Sequence, residues 1–175
     1  SESRGLGDVY KRQFQKLMTQ INQHRSLRDA FGQFATGVTV VTTRGQQGQP
    51  IGLTANSFAS VSLEPPMVSW CADKSSNRFH EFEQAEYYTI SVLTADQQGI
   101  SNLFAMRSWD DTVFDDTEWF SGPNEVPQLP DVSARFHCQT THRYAGGDHL
   151  IIVGTVLEFE STPKAPLLFF QGEYN

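Results

Sequence analysis

The chain has 175 residues, 38% of them hydrophobic and 19% charged, which suits one domain with one core and excludes a collagen-like or strongly disordered chain. Its net charge of −7 disfavours nucleic-acid or membrane partners, because both need a positive protein surface. No apolar run approaches the roughly 20 residues that span a bilayer, and no secretory signal is recognisable. We therefore expect a cytoplasmic globular protein.

The N-terminal region is predicted to be helical after a short tail. Residues 1–13 carry no hydrophobic period, and we expect a disordered or non-native tail before a single domain over residues 14–175. Helical spacing begins with Phe14, Leu17, Met18 and Ile21. A clearer helix is predicted after Ser26, which can act as its N-cap, and Gly37 is predicted to close it.

Beyond Gly37 the sequence shows the alternation and the β-branched residues of strands. Seven strands are predicted, at residues 37–43, 50–58, 67–72, 86–93, 134–141, 148–160 and 167–170. Two helices interrupt them, at about residues 78–84 and 95–105. A doubly wound parallel sheet would need a helix after nearly every strand. The pattern therefore predicts a mostly β (α+β) fold, an antiparallel barrel or sandwich, and we favour a barrel with peripheral helices.

Residues 107–131 differ from the rest in composition. They hold four aspartates before Gly122 and three prolines after it. The aspartates lack the alternate spacing and the glycine of an EF-hand loop, so a calcium site is disfavoured. We expect a solvated lid or surface loop.

Cysteine and histidine spacing gives no strong metal or disulfide signal. Cys71 and Cys138 are far apart, and we expect two buried, reduced thiols. His137, His142 and His149 lie around one predicted hairpin, but nothing in the sequence makes the three side chains converge, so we assign no metal site. Motifs of the serine-hydrolase, zinc-protease, P-loop and Rossmann types are absent from the sequence.

Two polar stretches could meet a ligand. Residues 54–62 begin on a predicted strand and are crowded with small hydroxyl and amide side chains. Residues 73–77, Asp-Lys-Ser-Ser-Asn, form a turn between a strand and a helix, and its hydroxyl groups, its free amide N–H groups and Lys74 suit a terminal phosphate. Serine and asparagine at a helix start are also common N-caps, so this second reading stays open.

Four ordered segments carry a family resemblance. They are FGQFATGVTVVTT at 31–43, PIGLTANSFASVSLEPPMVSWCADKSSNRF at 50–79, GGDHLIIVGTV at 146–156 and PLLFFQGEY at 166–174. From about residue 27 to the C-terminus, the chain resembles the flavin reductases with the FMN-binding split-barrel fold. These are reductase components of two-component flavin-dependent monooxygenases.

The resemblance implies an antiparallel split β-barrel that forms a homodimer and holds FMN or FAD near the subunit interface. NADH or NADPH would reduce the flavin, which then diffuses to a partner oxygenase. The residues implied along the flavin ring and ribityl chain are Pro50, Gly52, Leu53, Thr54, Asn56 and Ser57, with Ser62 at the end of that stretch. Those implied around the flavin phosphate are Lys74, Ser75, Ser76 and Asn77. Those implied beside the nicotinamide are Gly147, Asp148, His149, Phe169 and Tyr174.

Hydride transfer needs no protein nucleophile, because the flavin and the nicotinamide carry the electrons and the protein holds them together in a water-poor cleft. We expect His149 to orient the nicotinamide; the alternative is a histidine that pairs with a turn carbonyl. Two other functions stay open. One is a flavin-binding electron-transfer or storage protein without NAD(P)H activity, and the other is an enzyme that keeps its flavin and acts on a different substrate.

Overall fold

The computed structural model describes residues 3–175, with side chains from Val9 onward. The chain forms two units. The first contains the N-terminal residues through Ala35 together with Phe170–Glu173, and the second contains Thr36–Phe169 together with Tyr174–Asn175. Within the described residues, no helix has both the length and the apolar character needed to cross a membrane.

The first unit is built on one long helix, α1 (Ser3–Phe31). The sequence predicts that a helix begins at a Ser26 N-cap, but Ser26 lies inside α1, so that prediction is wrong. Residues 8–31 contain neither glycine nor proline, so nothing in the backbone forces a break at the serine. Gly37, predicted to close the helix, lies in a strand instead.

The predicted tail also differs from the structure. Residues 3–13 are helical and belong to α1, whereas residues 1 and 2 lie outside the described residues. The start of the domain at residue 14 stays a prediction.

Twelve strands and two further helices follow α1. The strands are β1 (Thr36–Gly37), β2 (Thr39–Arg44), β3 (Pro50–Ala55), β4 (Ala59–Leu63), β5 (Pro66–Asp73), β6 (Tyr87–Val92), β7 (Phe120–Ser121), β8 (Pro127–Gln128), β9 (Ala134–Gly146), β10 (His149–Ser161), β11 (Leu168–Phe170) and β12 (Glu173–Tyr174). The helices are α2 (Phe79–Gln84) and α3 (Gln98–Met106), with 3₁₀ turns at Val113–Asp116 and Pro123–Glu125.

Seven of these strands form one antiparallel sheet in the order β3-β2-β6-β9-β10-β5-β4. The alternating segments predicted as strands become β2, β5, β6, β9 and β10. Strand β4 has no prediction of its own, because its small and mostly exposed residues carry little alternation; pairing with β5 makes it a strand. The last predicted strand becomes β11, in a separate sheet with β1 and β12.

The second unit has two clusters of buried apolar side chains. The first is centred on Trp70, whose ring meets Phe82 edge-on with 5.1 Å between the ring centroids. The second includes Phe104 and Phe114, whose rings also meet edge-on, at 5.1 Å. Phe114 belongs to residues 107–131, which also bury Val113, Val126 and Leu129. The prediction of a merely solvated loop is therefore wrong for its apolar residues, which fill core positions between the acidic ones.

A close contact between Gly154 and Tyr88 fixes the alignment of the long strands. The pairing of β9 with β10 is irregular between Val153 and Gly154. A Cβ built at Gly154 would lie 2.2 Å from the Tyr88 hydroxyl oxygen, so only glycine fits beneath this buried tyrosine.

Candidate active site

An open cavity of about 430 Å³ lies where β3 and β5 end and β10 begins, a size within the range of small-molecule sites. Side chains from α3 and the segment after it complete the wall. Eight predicted site residues line the cavity: Leu53, Thr54, Asn56, Ser57, Ser75, Ser76, Asn77 and His149. The structure thus brings together residues that are almost 100 positions apart in the sequence.

The polar residues at the end of β3 are partly used to hold the wall. The Thr54 hydroxyl donates to the backbone carbonyl of Ser101 at 2.7 Å. The Ser57 hydroxyl oxygen accepts from the Cys71 backbone N–H at 2.9 Å. Asn56 is exposed between them. These contacts fix the spacing of β3, β5 and α3 around the cavity.

The end of β5 carries a carboxylate, Asp73, to which the sequence analysis assigns no role. Asp73 Oδ1 accepts from the backbone N–H of Ser75 at 2.8 Å and from its hydroxyl at 2.7 Å. These hydrogen bonds lower the pKa of the Asp73 carboxyl. The Ser76 hydroxyl oxygen accepts from the Arg78 backbone N–H at 3.2 Å. Because α2 has only six residues, the turn itself rather than a helix dipole must supply the donors for any anion.

His149 lines the cavity at the first residue of β10. Its Nδ1 lies 2.8 Å from Asp148 Oδ1, so the carboxylate accepts a proton bonded to Nδ1 and leaves Nε2 as the other polar atom of the ring. This hydrogen bond from His149 also lowers the pKa of the Asp148 carboxyl. His149 is aligned with Asp73 in the β10–β5 pairing. The partner of the histidine is therefore a carboxylate and not the turn carbonyl of the alternative reading.

Lys74 connects the two turns at the rim. Its ammonium donates to the carbonyl of Gly147 at 2.9 Å, and its backbone N–H donates to the carbonyl of Asp148 at 3.0 Å. Gly147 has a φ of +68°, a conformation that glycine adopts without strain. The predicted phosphate turn and the predicted nicotinamide turn are thus joined directly.

Arg78 holds the acidic segment against the start of α2. Its side chain is almost completely buried, donates to the carbonyl of Ser108, and pairs with Asp111 at 2.6 Å. Ser108 lines the cavity, so this cluster places the beginning of residues 107–131 at the cavity wall.

Residues 31–175 match a protein family described as the flavin reductase like domain. The chain belongs to the flavin reductase family. It is 45% identical over 150 residues to the FMN reductase (NADH) of Agrobacterium fabrum, covering 86% of this chain and 84% of the relative. It is 43% identical over 157 residues to the reductase component of the flavin-dependent trigonelline monooxygenase of Acinetobacter baylyi, covering 90% of this chain and 50% of the relative. The chain thus spans about half the length of this second relative.

Solved structures of the family agree with the fold. A Streptomyces globisporus NADH:FAD oxidoreductase, solved with NAD and FAD fragments, superposes with a TM-score of 0.81 at 36% identity, covering 88% of this chain and 92% of that one. The predicted fold class, a mostly β antiparallel split barrel with peripheral helices, is confirmed.

Other residues predicted for the flavin reductase site lie outside the cavity lining. Gly52 is buried, and a Cβ there would lie 2.7 Å from the Phe104 ring. Pro50 begins β3, and Ser62 pairs with Met67 in the β4–β5 ladder. Phe169 and Tyr174 pack together, with 5.3 Å between their ring centroids, and the Tyr174 hydroxyl bonds to Ser101 Oγ at 2.8 Å.

Several lining residues of this flavin reductase-family chain escaped sequence reasoning. They are Ala55, Cys71, Asp73, Phe104, Ala105 and Ser108. Cys71 and Asp73 are two positions apart on β5, so they lie on the same face of the strand, as the strand pattern predicts. Cys71, predicted to be buried, is only half-buried, and partial burial raises the pKa of its thiol; Cys138 is fully buried.

The remaining histidines occupy separate environments. His137 is buried between Thr89 and Asn124, with Nε2 2.9 Å from Asn124 Oδ1. His142 stacks on Tyr144. Among the side chains that the structure describes, from Val9 onward, no three potential metal ligands cluster. A second cavity of about 280 Å³, lined by residues such as Arg44 and Tyr87, contains none of the predicted site residues.

Proposed function

We propose that this chain transfers a hydride from NADH or NADPH to FMN or FAD and supplies the reduced flavin to a partner oxygenase. The observation that carries the proposal is the 430 Å³ cavity, in which the polar end of β3, the serine turn after β5 and His149 face one space. Two relatives support the proposal: one is named an FMN reductase (NADH), and the other is named the reductase component of a monooxygenase.

The cavity fits the chemistry of a flavin ring. Leu53, Phe104 and Ala105 offer apolar surface to the faces of a flat ring, while Thr54 and Asn56 offer polar atoms to its edge. Bound there, a flavin would supply the hydride acceptor. The protein itself contributes orientation and exclusion of water.

The turn after β5 is the proposed phosphate subsite. Ser75 already donates both its N–H and its hydroxyl to Asp73. Ser76 and Asn77 are therefore the side chains best placed to donate to a phosphate, because both line the cavity and neither donates in a side-chain hydrogen bond within the described residues. The ribityl chain would run between this turn and β3.

The proposed nicotinamide subsite is the β9–β10 turn. Asp148 accepts from His149 Nδ1, so the ring is held and Nε2 can donate to or accept from a nicotinamide amide group. Gly147 permits the turn that brings the pair to the cavity rim. The predicted contacts of Phe169 and Tyr174 with the nicotinamide stay predictions, as do the flavin contacts of Pro50, Gly52 and Ser62.

A homodimer is part of the proposal. Val61 and Leu63 on β4 and Leu157 and Phe159 on β10 are exposed apolar side chains, with Leu63 93% exposed. Such side chains fit a contact with a second copy of the chain. Sedimentation of the purified protein tests it, because a monomer at micromolar concentration would contradict the proposed contact.

The reaction draws on NAD(P)H, so we propose the cytoplasm as its location.

The decisive experiment adds each nicotinamide cofactor to the protein in the presence of excess free FMN or FAD under air. We expect many turnovers of NAD(P)H oxidation and bleaching of the flavin absorbance when oxygen is removed. Flavin binding without any bleaching would favour the storage or electron-transfer protein. A single turnover limited to bound flavin would favour an enzyme that retains its cofactor.

A further inference from the structure

The rim of the cavity contains a lysine whose contacts differ from those expected of a phosphate ligand. Lys74 donates its backbone N–H to Asp148 and its ammonium to Gly147, both carbonyls of the β9–β10 turn. Although it lies in the serine turn, Lys74 is not among the cavity-lining residues. Its side chain therefore extends away from the proposed phosphate subsite and toward the β9–β10 turn, which precedes His149.

We propose that Lys74 is a positioning residue for His149: its ammonium holds the β9–β10 turn at the distance from the serine turn that hydride transfer requires. The inference rests on the proposed function and deepens it. Lys74 acts through the turn and not by touching the flavin phosphate.

The structure of this turn explains why the ammonium bond matters for the placement of Gly147. It is a tight turn with Gly147 in the left-handed region, between the long strands β9 and β10. The β9–β10 pairing ends at Gly146 and His149. Two hydrogen bonds then reach the turn residues from Lys74: its ammonium donates to the Gly147 carbonyl, and its backbone N–H donates to the Asp148 carbonyl. Holding a reacting group within a fraction of an ångström strongly affects rate, since small displacements cost large factors in hydride transfer.

Charge gives Lys74 a second role at the same place. Asp73 and Asp148 put two carboxylates beside His149. A dinucleotide that approaches this rim carries negative charge of its own, and the ammonium offsets the carboxylates. The loss of Lys74 should therefore weaken productive nicotinamide binding more than flavin binding.

The test compares Lys74→Met, Lys74→Arg and Lys164→Met. Lys164 is a matched control because it is also an exposed lysine, and its ammonium donates to Asp131 at 2.9 Å, away from the cavity. For each variant, FMN and riboflavin affinities are titrated by fluorescence, and flavin reduction is followed in stopped flow while NADH and NADPH are varied. Hydrogen exchange of the amides at residues 146–149 is measured without ligands.

We expect Lys74→Met to raise the KM for the nicotinamide or slow reduction by about fivefold or more, with faster exchange at residues 146–149 and an unchanged ratio of FMN to riboflavin affinity. Lys74→Arg, which keeps a charged donor, should recover most of the loss, and Lys164→Met should match wild type. A selective loss of FMN affinity in Lys74→Met would overturn the proposal and make Lys74 a phosphate ligand. Unchanged kinetics and exchange would overturn it as well.

The same measurements distinguish a failure of the proposed function from a failure of the Lys74 role. If wild type reduces no flavin with either nicotinamide, the proposed function fails, while the exchange measurement still reports whether Lys74 holds the turn. If wild type is active and Lys74→Met behaves identically to it, the positioning role alone fails.

Discussion

The hydroxyl of Thr54 donates to the backbone carbonyl of Ser101, and the hydroxyl of Ser101 bonds to that of Tyr174 at 2.8 Å. These two hydrogen bonds, one to the carbonyl and one to the hydroxyl of Ser101, join β3, α3 and β12 beside the cavity. Phe104 and Ala105, which line the cavity, follow Ser101 on the same helix. The hydroxyl groups of Thr54, Ser101 and Tyr174 therefore help to position the apolar side chains of α3 that line the cavity.

The Thr54 bond leads to a prediction about the wall. Thr54→Val removes the donor with little change of volume, and we expect a loss of about 1 kcal/mol in the free energy of unfolding and a several-fold weaker flavin affinity. Thr43→Val is the matched control, since Thr43 donates to the carbonyl of Tyr87 at 2.7 Å outside this cavity. Urea unfolding and flavin titration measure the two effects. Equal flavin affinity in the two variants would contradict the proposed role of Thr54.

The histidine at the rim gives a second prediction. His149→Ala should slow flavin reduction by about tenfold or more and leave flavin affinity nearly unchanged, because Asp148 holds the ring at the proposed nicotinamide subsite. His142→Ala, in the same hairpin but stacked on Tyr144, serves as the control. Stopped-flow reduction under anaerobic conditions measures the rate. Wild-type rates in His149→Ala would remove the histidine from the mechanism.

For Asp73 we predict a gain in FMN affinity, whereas the two substitutions above weaken flavin binding or slow its reduction. Its carboxylate lies in the turn proposed to bind phosphate, and like charges near a phosphate weaken its binding. Asp73→Asn keeps an oxygen that can accept from Ser75 but removes the charge. We expect FMN to bind more tightly by about 1 kcal/mol, or roughly fivefold in Kd, with riboflavin affinity unchanged. Tighter binding of both ligands, or of neither, argues against a phosphate at this turn.

The two cysteines should differ in reactivity. Burial raises the pKa of Cys138 to about 12, so its thiolate is scarce and shielded at pH 8. Burial also raises the pKa of the Cys71 thiol, but Cys71 is only half-buried and lines the cavity, so reagents can reach it. We expect iodoacetamide to label Cys71 slowly, FMN to slow it further, and Cys138 to react only after unfolding. Mass spectrometry of the labelled peptides reads both sites, and FMN-independent labelling of Cys71 would place the flavin elsewhere.

The acidic segment predicts a pH effect on stability. Asp110 accepts from Thr112 and Arg107, and these bonds lower its pKa to about 2. Because the folded-state pKa lies below the unfolded value of about 3.9, the carboxylate stabilises the fold above about pH 4, and this contribution disappears as the pH falls toward 2. The difference in unfolding free energy between wild type and Asp110→Asn should shrink over that interval. A difference that stays constant between pH 5 and pH 2 would contradict this.

Strand patterns predicted much of the fold but only part of the site. β2, β6 and β10 are rich in β-branched residues, so their alternation is visible without tertiary information. α1 continues through Ser26 because one serine does not interrupt a helix when the residues on both sides of it also favour helix. β4 depends on pairing with β5, which local sequence does not reveal.

The contacts that organise the site lie beyond local pattern. The bond from Thr54 to Ser101 spans 47 positions and that from Lys74 to Gly147 spans 73. Such pairs are set by how the strands are ordered in the sheet. The polar composition of residues 54–57 and 75–77 was visible in the sequence, but the partner of each group was not. Asp73 belongs to the predicted stretch 73–77 but has no predicted role, because a carboxylate is an unexpected neighbour for a phosphate.

The glycine beneath Tyr88 bears on how the rim of the cavity can vary. A slip of β10 by one residue would bring Val153 or Thr155 under the tyrosine oxygen, where their Cβ atoms have no room. The hairpin is thereby anchored five residues from His149. Under the proposed function, substitutions among residues 146–149 would alter which nicotinamide is preferred while the strands behind them keep the same alignment, and this tip would be the place to engineer the choice of donor.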